Sequence, residues 1–127
     1  MRQQRKKHMQ AITILDTSIR QDAEGRYSLN DLHRAAMAAA GREGNPNDDH
    51  QRPALFLRTD GVREFVSELD AQICASSVAT VRGRGKAQGT YGSELVVYRY
   101  AAWISPAFEV KVYSVFRDWA RGAVDRQ

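Results

Sequence analysis

Three cations sit close together near the middle of the chain: Arg82, Arg84 and Lys86, spaced by Gly83 and Gly85 and followed by Ala87, Gln88 and Gly89. No acid interrupts them. Glycine permits the positive φ values of an irregular turn and leaves backbone amides uncovered, so a partner can approach closely. Unpaired guanidinium groups in such a turn repel one another. A polyanion relieves that repulsion, and nucleic acid is the polyanion with the right reach. Arg82, Arg84 and Lys86 are therefore expected to contact phosphates or enter a groove, and Gln88 to reach a base edge. The bland alternative is a solvated surface turn.

A second chemical candidate is Asp48-Asp49-His50 in the polar run GREGNPNDDHQ. A metal-dependent nuclease would need further His or carboxylate ligands at suitable spacing, and none accompanies these three. Capping of the next helix is the simpler role for either aspartate. Other catalytic signatures are missing. The chain has no P-loop, no GxGxxG, no HExxH and no CxxC. Neither a metal site nor a cofactor is expected, and the chain does not read as an enzyme.

The elements that must position the basic turn are legible around it. Val78 and Thr80 before it, and Thr90 and Tyr91 after it, are strand formers, which makes the turn the tip of a β-hairpin. Ser93 then stands at the start of a helix over residues 94–104 that is apolar nearly all round, as a central helix would be. Ser105-Pro106 opens a last helix, with Pro at the first helical position. Phe108, Val112, Val115, Phe116 and Trp119 share its apolar face, and Gly122 should end it.

Upstream, residues 11–19 read as one strand, with a turn at residues 22–25 and a return strand from Arg26, making a first hairpin. Ser28 is an N-cap with Asp31 at N3, in a capping-box-like arrangement. Leu29, Leu32, Ala36 and Ala39 give the following helix its apolar stripe, and Gly41 terminates it. Residues 53–57 form a short helix or turn. Thr59 caps a longer helix in which Val62, Phe65, Val66, Leu69 and Ile73 form the buried face. Two helices across a short turn, followed by a hairpin, have the order of a winged helix-turn-helix. Arg52, Arg58 and Arg63 lie near that turn, where the start of a recognition helix approaches base edges in the major groove. Glu64, Glu68 and Asp70 would repel phosphates further along.

Gly89-Thr90-Tyr91, Leu95 and Ala102-Trp103-Ile104-Ser105-Pro106-x-Phe108 together resemble the signature of the KilA-N domain. Tyr27-Ser28-Leu29-Asn30-Asp31-Leu32-His33-Arg34-Ala35-Ala36 looks like that family's first helix, and residues 57–69 look like its central one. The resemblance spans residues 10–121. One departure stands out: Gly92-Ser93-Glu94 occupies the place where many members carry a His-Pro pair. The resemblance implies an α+β fold related to the fungal APSES domain, with a winged helix-turn-helix-like core, two β-hairpins and four to five helices. It implies double-stranded DNA binding in phage or prophage regulation, with repressor and antirepressor roles both open. A repressor or other regulatory protein as partner, and a homodimer, are also left open. Members often carry a second domain after this one.

Composition fits that reading. The chain has 127 residues, 43% apolar and 27% charged, ordinary for one globular domain. The net charge of +4 permits nucleic-acid binding without demanding it. The expected layout is a basic arm over residues 1–9 (with Arg2, Arg5, Lys6 and Lys7), a DNA-binding domain over 10–122 and a tail over 123–127. Cys74 is the single cysteine, so no intramolecular disulfide forms, and it reads as a small buried residue. No apolar run approaches the roughly 18 residues of a membrane span, and the basic N-terminus lacks the apolar stretch of a signal peptide. A cytoplasmic location is expected, in a bacterium or an infected cell. The class that competes with a DNA reader is a protein-interaction module whose basic tip meets an acidic surface.

Overall fold

A computed structural model describes residues 12–41 and 51–125, with side chains as far as Gly122. The chain opens on β1 (Ile12–Ile14) and β2 (Thr17–Ile19), which pair antiparallel with Ile14 opposite Thr17. The expected single strand over residues 11–19 is thus a hairpin in its own right. Leu15 and Asp16 form its two-residue turn, both at positive φ (50° and 69°). That is the backbone of the turns whose twist suits hairpins, made here without the usual glycine or asparagine. The reward is placement, since Ile12, Ile14 and Ile19 are all buried.

The turn at residues 22–25 forms as expected, with Gly25 at φ 86° and the Asp22 carboxylate accepting from the Glu24 and Arg26 amides. Its return strand goes elsewhere. β3 (Tyr27–Ser28) pairs not with β2 but with β5 (Gly89–Gly92), and an isolated bridge joins Gln21 to Tyr27. The second sheet has the order β3-β5-β4, all antiparallel, with β4 spanning Val78–Val81.

Among the described residues, five helices pack around these sheets: α1 (Leu29–Ala39), α2 (Pro53–Arg58), α3 (Asp60–Ile73), α4 (Glu94–Ile104) and α5 (Pro106–Asp125). Ser28 caps α1 by accepting the Asp31 amide at 3.1 Å, and Gly41 follows at φ 73°. Ser105 caps α5 in the same way, accepting from the Phe108 amide at 3.1 Å. Thr59 and Ser93 occupy N-cap positions without a side-chain cap bond, and the Thr59 hydroxyl donates back to the Leu55 carbonyl.

The core lies where α1, α4 and α5 meet the β1–β2 hairpin. Leu29, Leu32, Ala35, Val96, Val97, Tyr100 and Val112 are all at 1% exposure or less. Phe56 on α2 is fully buried and touches the rings of Tyr100 (centroids 4.8 Å apart) and Trp103 (5.5 Å). Several expected core positions fall outside it. Ile73, the last residue of α3, and Trp119 on α5 are 45% and 46% exposed. Ala39 is exposed at the end of α1. Leu95 and Ala102 put part of α4 in solvent, so that helix is central but not buried on every side. Cys74 is exposed and left-handed (φ 55°), since it is the C-cap of α3. Helix α5 runs through Gly122 to Asp125 rather than ending at the glycine. Among the described residues, no helix is long and apolar enough to cross a membrane.

Candidate nucleic-acid interface

Strands β4 and β5 form a hairpin wing in the register Val78↔Gly92, Ala79↔Tyr91, Thr80↔Thr90 and Val81↔Gly89. Residues 81–88 are all exposed. Gly83 and Gly85 take φ values of 101° and 119°, a region closed to most side chains, and nothing lies within 4 Å of where their Cβ atoms would be. The tip is open on its outer side. Arg82, Arg84 and Lys86 make no ion pair with any described residue, and Gln88 is exposed beside them, its backbone N–H donating to the Gly85 carbonyl at 3.4 Å.

The base of the wing is closed. Gly89 has φ 139°, and a Cβ there would lie 2.9 Å from Asn30 Oδ1. That same oxygen accepts the Thr90 amide at 2.8 Å. Tyr91 is buried and its hydroxyl donates to the Ala87 carbonyl at 2.8 Å. The other root of the wing is held by Asp70, whose Oδ1 accepts from the Ser77 amide (2.8 Å) and hydroxyl (2.6 Å). The Ser77 carbonyl in turn accepts the Ser93 amide at 2.8 Å. Asp70, read from sequence as an acid that repels phosphate, is spent on joining α3 to the wing.

Helices α2 and α3 share Thr59 as the C-cap of one and the N-cap of the next. Arg52 is the N-cap residue of α2, Arg58 closes that helix, and Arg63 sits in the first turn of α3; all three are exposed. Arg63 lines a groove with Leu57, Val66, Ser67, Asp70 and Val78. Since Val78 begins β4, the start of α3 and the root of the wing border one groove. Arg99, unassigned from sequence, adds a cation beside them. Its guanidinium carbon stands 5.1 Å from the centre of the Phe65 ring, and its Nη2 would be 3.4 Å from a Cβ on Gly61.

A further group under the wing escaped the sequence reading. Asp31 is fully buried, yet its carboxylate does not close a capping box. Oδ2 accepts from the Arg20 amide (2.9 Å) and Nε (2.8 Å), and Oδ1 from Arg20 Nη2 (3.1 Å) and from Arg34. Burial pushes the Asp31 carboxyl up, but the hydrogen bonds and charge of Arg20, with the bond from Arg34, outweigh it and hold the group below the usual carboxylate range. The bond to Asp31 raises Arg20 in turn. Arg20 also donates from Nη2 to Ser28 Oγ at 3.4 Å and from Nη1 to the Lys86 carbonyl. The one sequence signal was an acid at N3 of a helix, which fits ordinary capping equally well.

The described residues hold no group of three His, Cys, Asp or Glu side chains able to bind a metal. Asp48, Asp49 and His50 lie outside the described residues, as does the N-terminal arm.

Residues 10–122 match the KilA-N domain family. Protein kilA of Escherichia phage P1 is 38% identical over 109 residues, which are 86% of this chain and 37% of that protein. The chain therefore spans well under half the length of that relative. No solved structure matches it. The match over nearly the whole chain, together with the α+β wing-and-helix architecture, means that the chain belongs to the KilA-N family of phage-type DNA-binding domains.

Proposed function

We propose that this chain binds double-stranded DNA as a transcriptional regulator or antirepressor of phage or prophage origin. The carrying observation is the placement of an open, acid-free Arg-Gly-Arg-Gly-Lys tip on a wing whose root shares a groove with the start of α3. In this reading Arg82, Arg84 and Lys86 neutralise phosphates, and Gln88 reaches a base edge. Arg58, at the end of α2, and Arg63, in the first turn of α3, approach the major groove, with Arg52 on the adjoining backbone. Glu64 and Glu68 confine contact to that start. Lack of acid in the tip favours a polyanion over a neutral partner.

Selection from a random duplex pool at two salt concentrations tests it. An enriched motif with steep salt dependence is the expected result. No binding at low salt would overturn it. A second reading, a protein-interaction module, is favoured by the exposed Leu95, Val110, Tyr113 and Trp119 on α4 and α5. It predicts weak binding without enrichment.

A further inference from the structure

Two long-range contacts leave the beginning of α1 and end on the base of the wing. One runs from Asn30 Oδ1 to the Thr90 amide, across 60 residues of sequence. The other runs from Asp31 through Arg20 to the Lys86 carbonyl, across 66 residues from Arg20. Every guanidinium nitrogen of Arg20 is engaged: Nε and Nη2 by Asp31, Nη2 also by Ser28, and Nη1 by Lys86. Arg20 is therefore committed to the protein itself rather than offered to phosphate. Gly89 permits the close approach, since a Cβ there would collide with Asn30. The clamped atoms, Lys86 O and Thr90 N, bracket the point where the open tip joins β5, and Tyr91 holds Ala87 between them.

We propose that Asn30, Asp31 and Arg20 are positioning residues for DNA binding: they fix the base of the wing against α1, so that Arg82, Arg84 and Lys86 are presented in one orientation. The inference rests on the DNA-binding reading above. A glycine-rich tip on a free hinge would lose conformational entropy on binding, whereas a clamped base has already lost part of it. The carboxylate of Asp31 serves here because it is buried and cannot reach solvent, so it can only satisfy itself through the two arginines.

The electrostatic sign separates this from a simple charge effect. Asp31→Asn removes a negative charge near a basic wing, so charge alone predicts tighter DNA binding. The clamp predicts weaker binding. Arg20→Lys keeps the charge but cannot reach Asp31, Ser28 and Lys86 at once. Asn30→Ala changes no charge and alters an exposed residue, so it keeps the test open if the buried Asp31→Asn variant fails to fold.

The experiment measures two quantities on the full chain. Amide hydrogen exchange over residues 88–91, which include the clamped Thr90 amide, is read without DNA, and affinity for a mixed-sequence duplex is read by fluorescence anisotropy at two salt concentrations. The expected result is faster exchange in all three variants and an affinity loss of about three- to tenfold in each, the scale of one or two lost hydrogen bonds. Variants that match wild type in exchange and affinity overturn the clamp while leaving DNA binding intact. Tighter binding by Asp31→Asn, with unchanged exchange, reduces the network to charge and also overturns it. A wild-type chain that binds no duplex overturns the DNA reading itself, whatever the exchange shows.

Discussion

A Cβ on Gly92 would lie 2.7 Å from Val96 Cγ1 and 3.0 Å from Val96 Cβ. Gly92 ends the middle strand of the wing sheet, paired with Tyr27 on one side and Val78 on the other, and Val96 in the first turn of α4 packs against it. Its φ is ordinary, so the glycine is required for space and not for backbone freedom. Gly92→Ala should destabilise the fold by about 1–3 kcal/mol, the usual cost of overpacking. Urea unfolding checks this. Gly85→Ala makes a useful contrast, because the added carbon meets nothing and only the positive φ is strained. Its effect should stay local to the tip.

The aromatic cluster ranks two core truncations. Phe56 is fully buried and central, while Trp103 is only partly buried at the edge of the same cluster. Phe56→Ala should cost about 3–5 kcal/mol. Trp103→Ala should cost less, contrary to what its size and place in the sequence suggest. Paired denaturation curves decide the order, and a larger loss at Trp103 would mean the cluster is anchored from its rim.

Arg82→Ala combined with Arg84→Ala should leave the melting temperature within a degree or two of wild type, about the scale of an exposed, uncoupled site. Duplex affinity should fall, and the slope of log affinity against log salt should shrink by about 2, roughly one unit for each phosphate contact removed. Unchanged binding would remove the wing from the interface.

Asp31 gives a pH signature. Its carboxyl is held below the usual range in the folded chain, where Arg20 and Arg34 face it. The folded state therefore binds that proton less readily than the unfolded one. The resulting stability is present above the ordinary carboxylate pKa of about 4 and is lost as pH falls through the lower folded value. Asp31→Asn should be less stable near neutrality, with the difference from wild type narrowing in acid. Denaturation midpoints between pH 2 and pH 6 test the sign, which reverses if burial dominates.

Local features were legible because local physics makes them. Ser28 and Ser105 cap their helices through contacts three residues away, Pro106 sits where its missing amide costs nothing, and the glycines of the tip take the φ values only they tolerate. The α+β class, the wing and the two-helix turn followed from such signals and from the family resemblance. The Leu15-Asp16 turn was hidden, because its residue types do not announce positive φ; burial of Ile14 and Ile19 on either side enforces it. Tyr27 chose β5 over β2 for a reason no local pattern contains, since strand pairing depends on which edge the tertiary fold brings near. Exposure of Ile73, Cys74 and Trp119 likewise depends on what the fold packs against each, which periodicity cannot report.

Residue types and spacing by themselves determined the wing's charge, its glycine-bearing turn and the helix starts around it, since each is a matter of a few adjacent residues. Tertiary structure decided what holds that wing. Asn30 with Thr90, Arg20 with Lys86 and Asp70 with Ser77 join segments that are separate in the chain, and only packing could show that Asn30, Arg20 and Asp70 are committed to the wing. Hydrogen bonds between distant side chains leave no periodic trace in a sequence. Arg20 is drawn under the wing because the buried carboxylate of Asp31 must find its partners wherever the fold has put them.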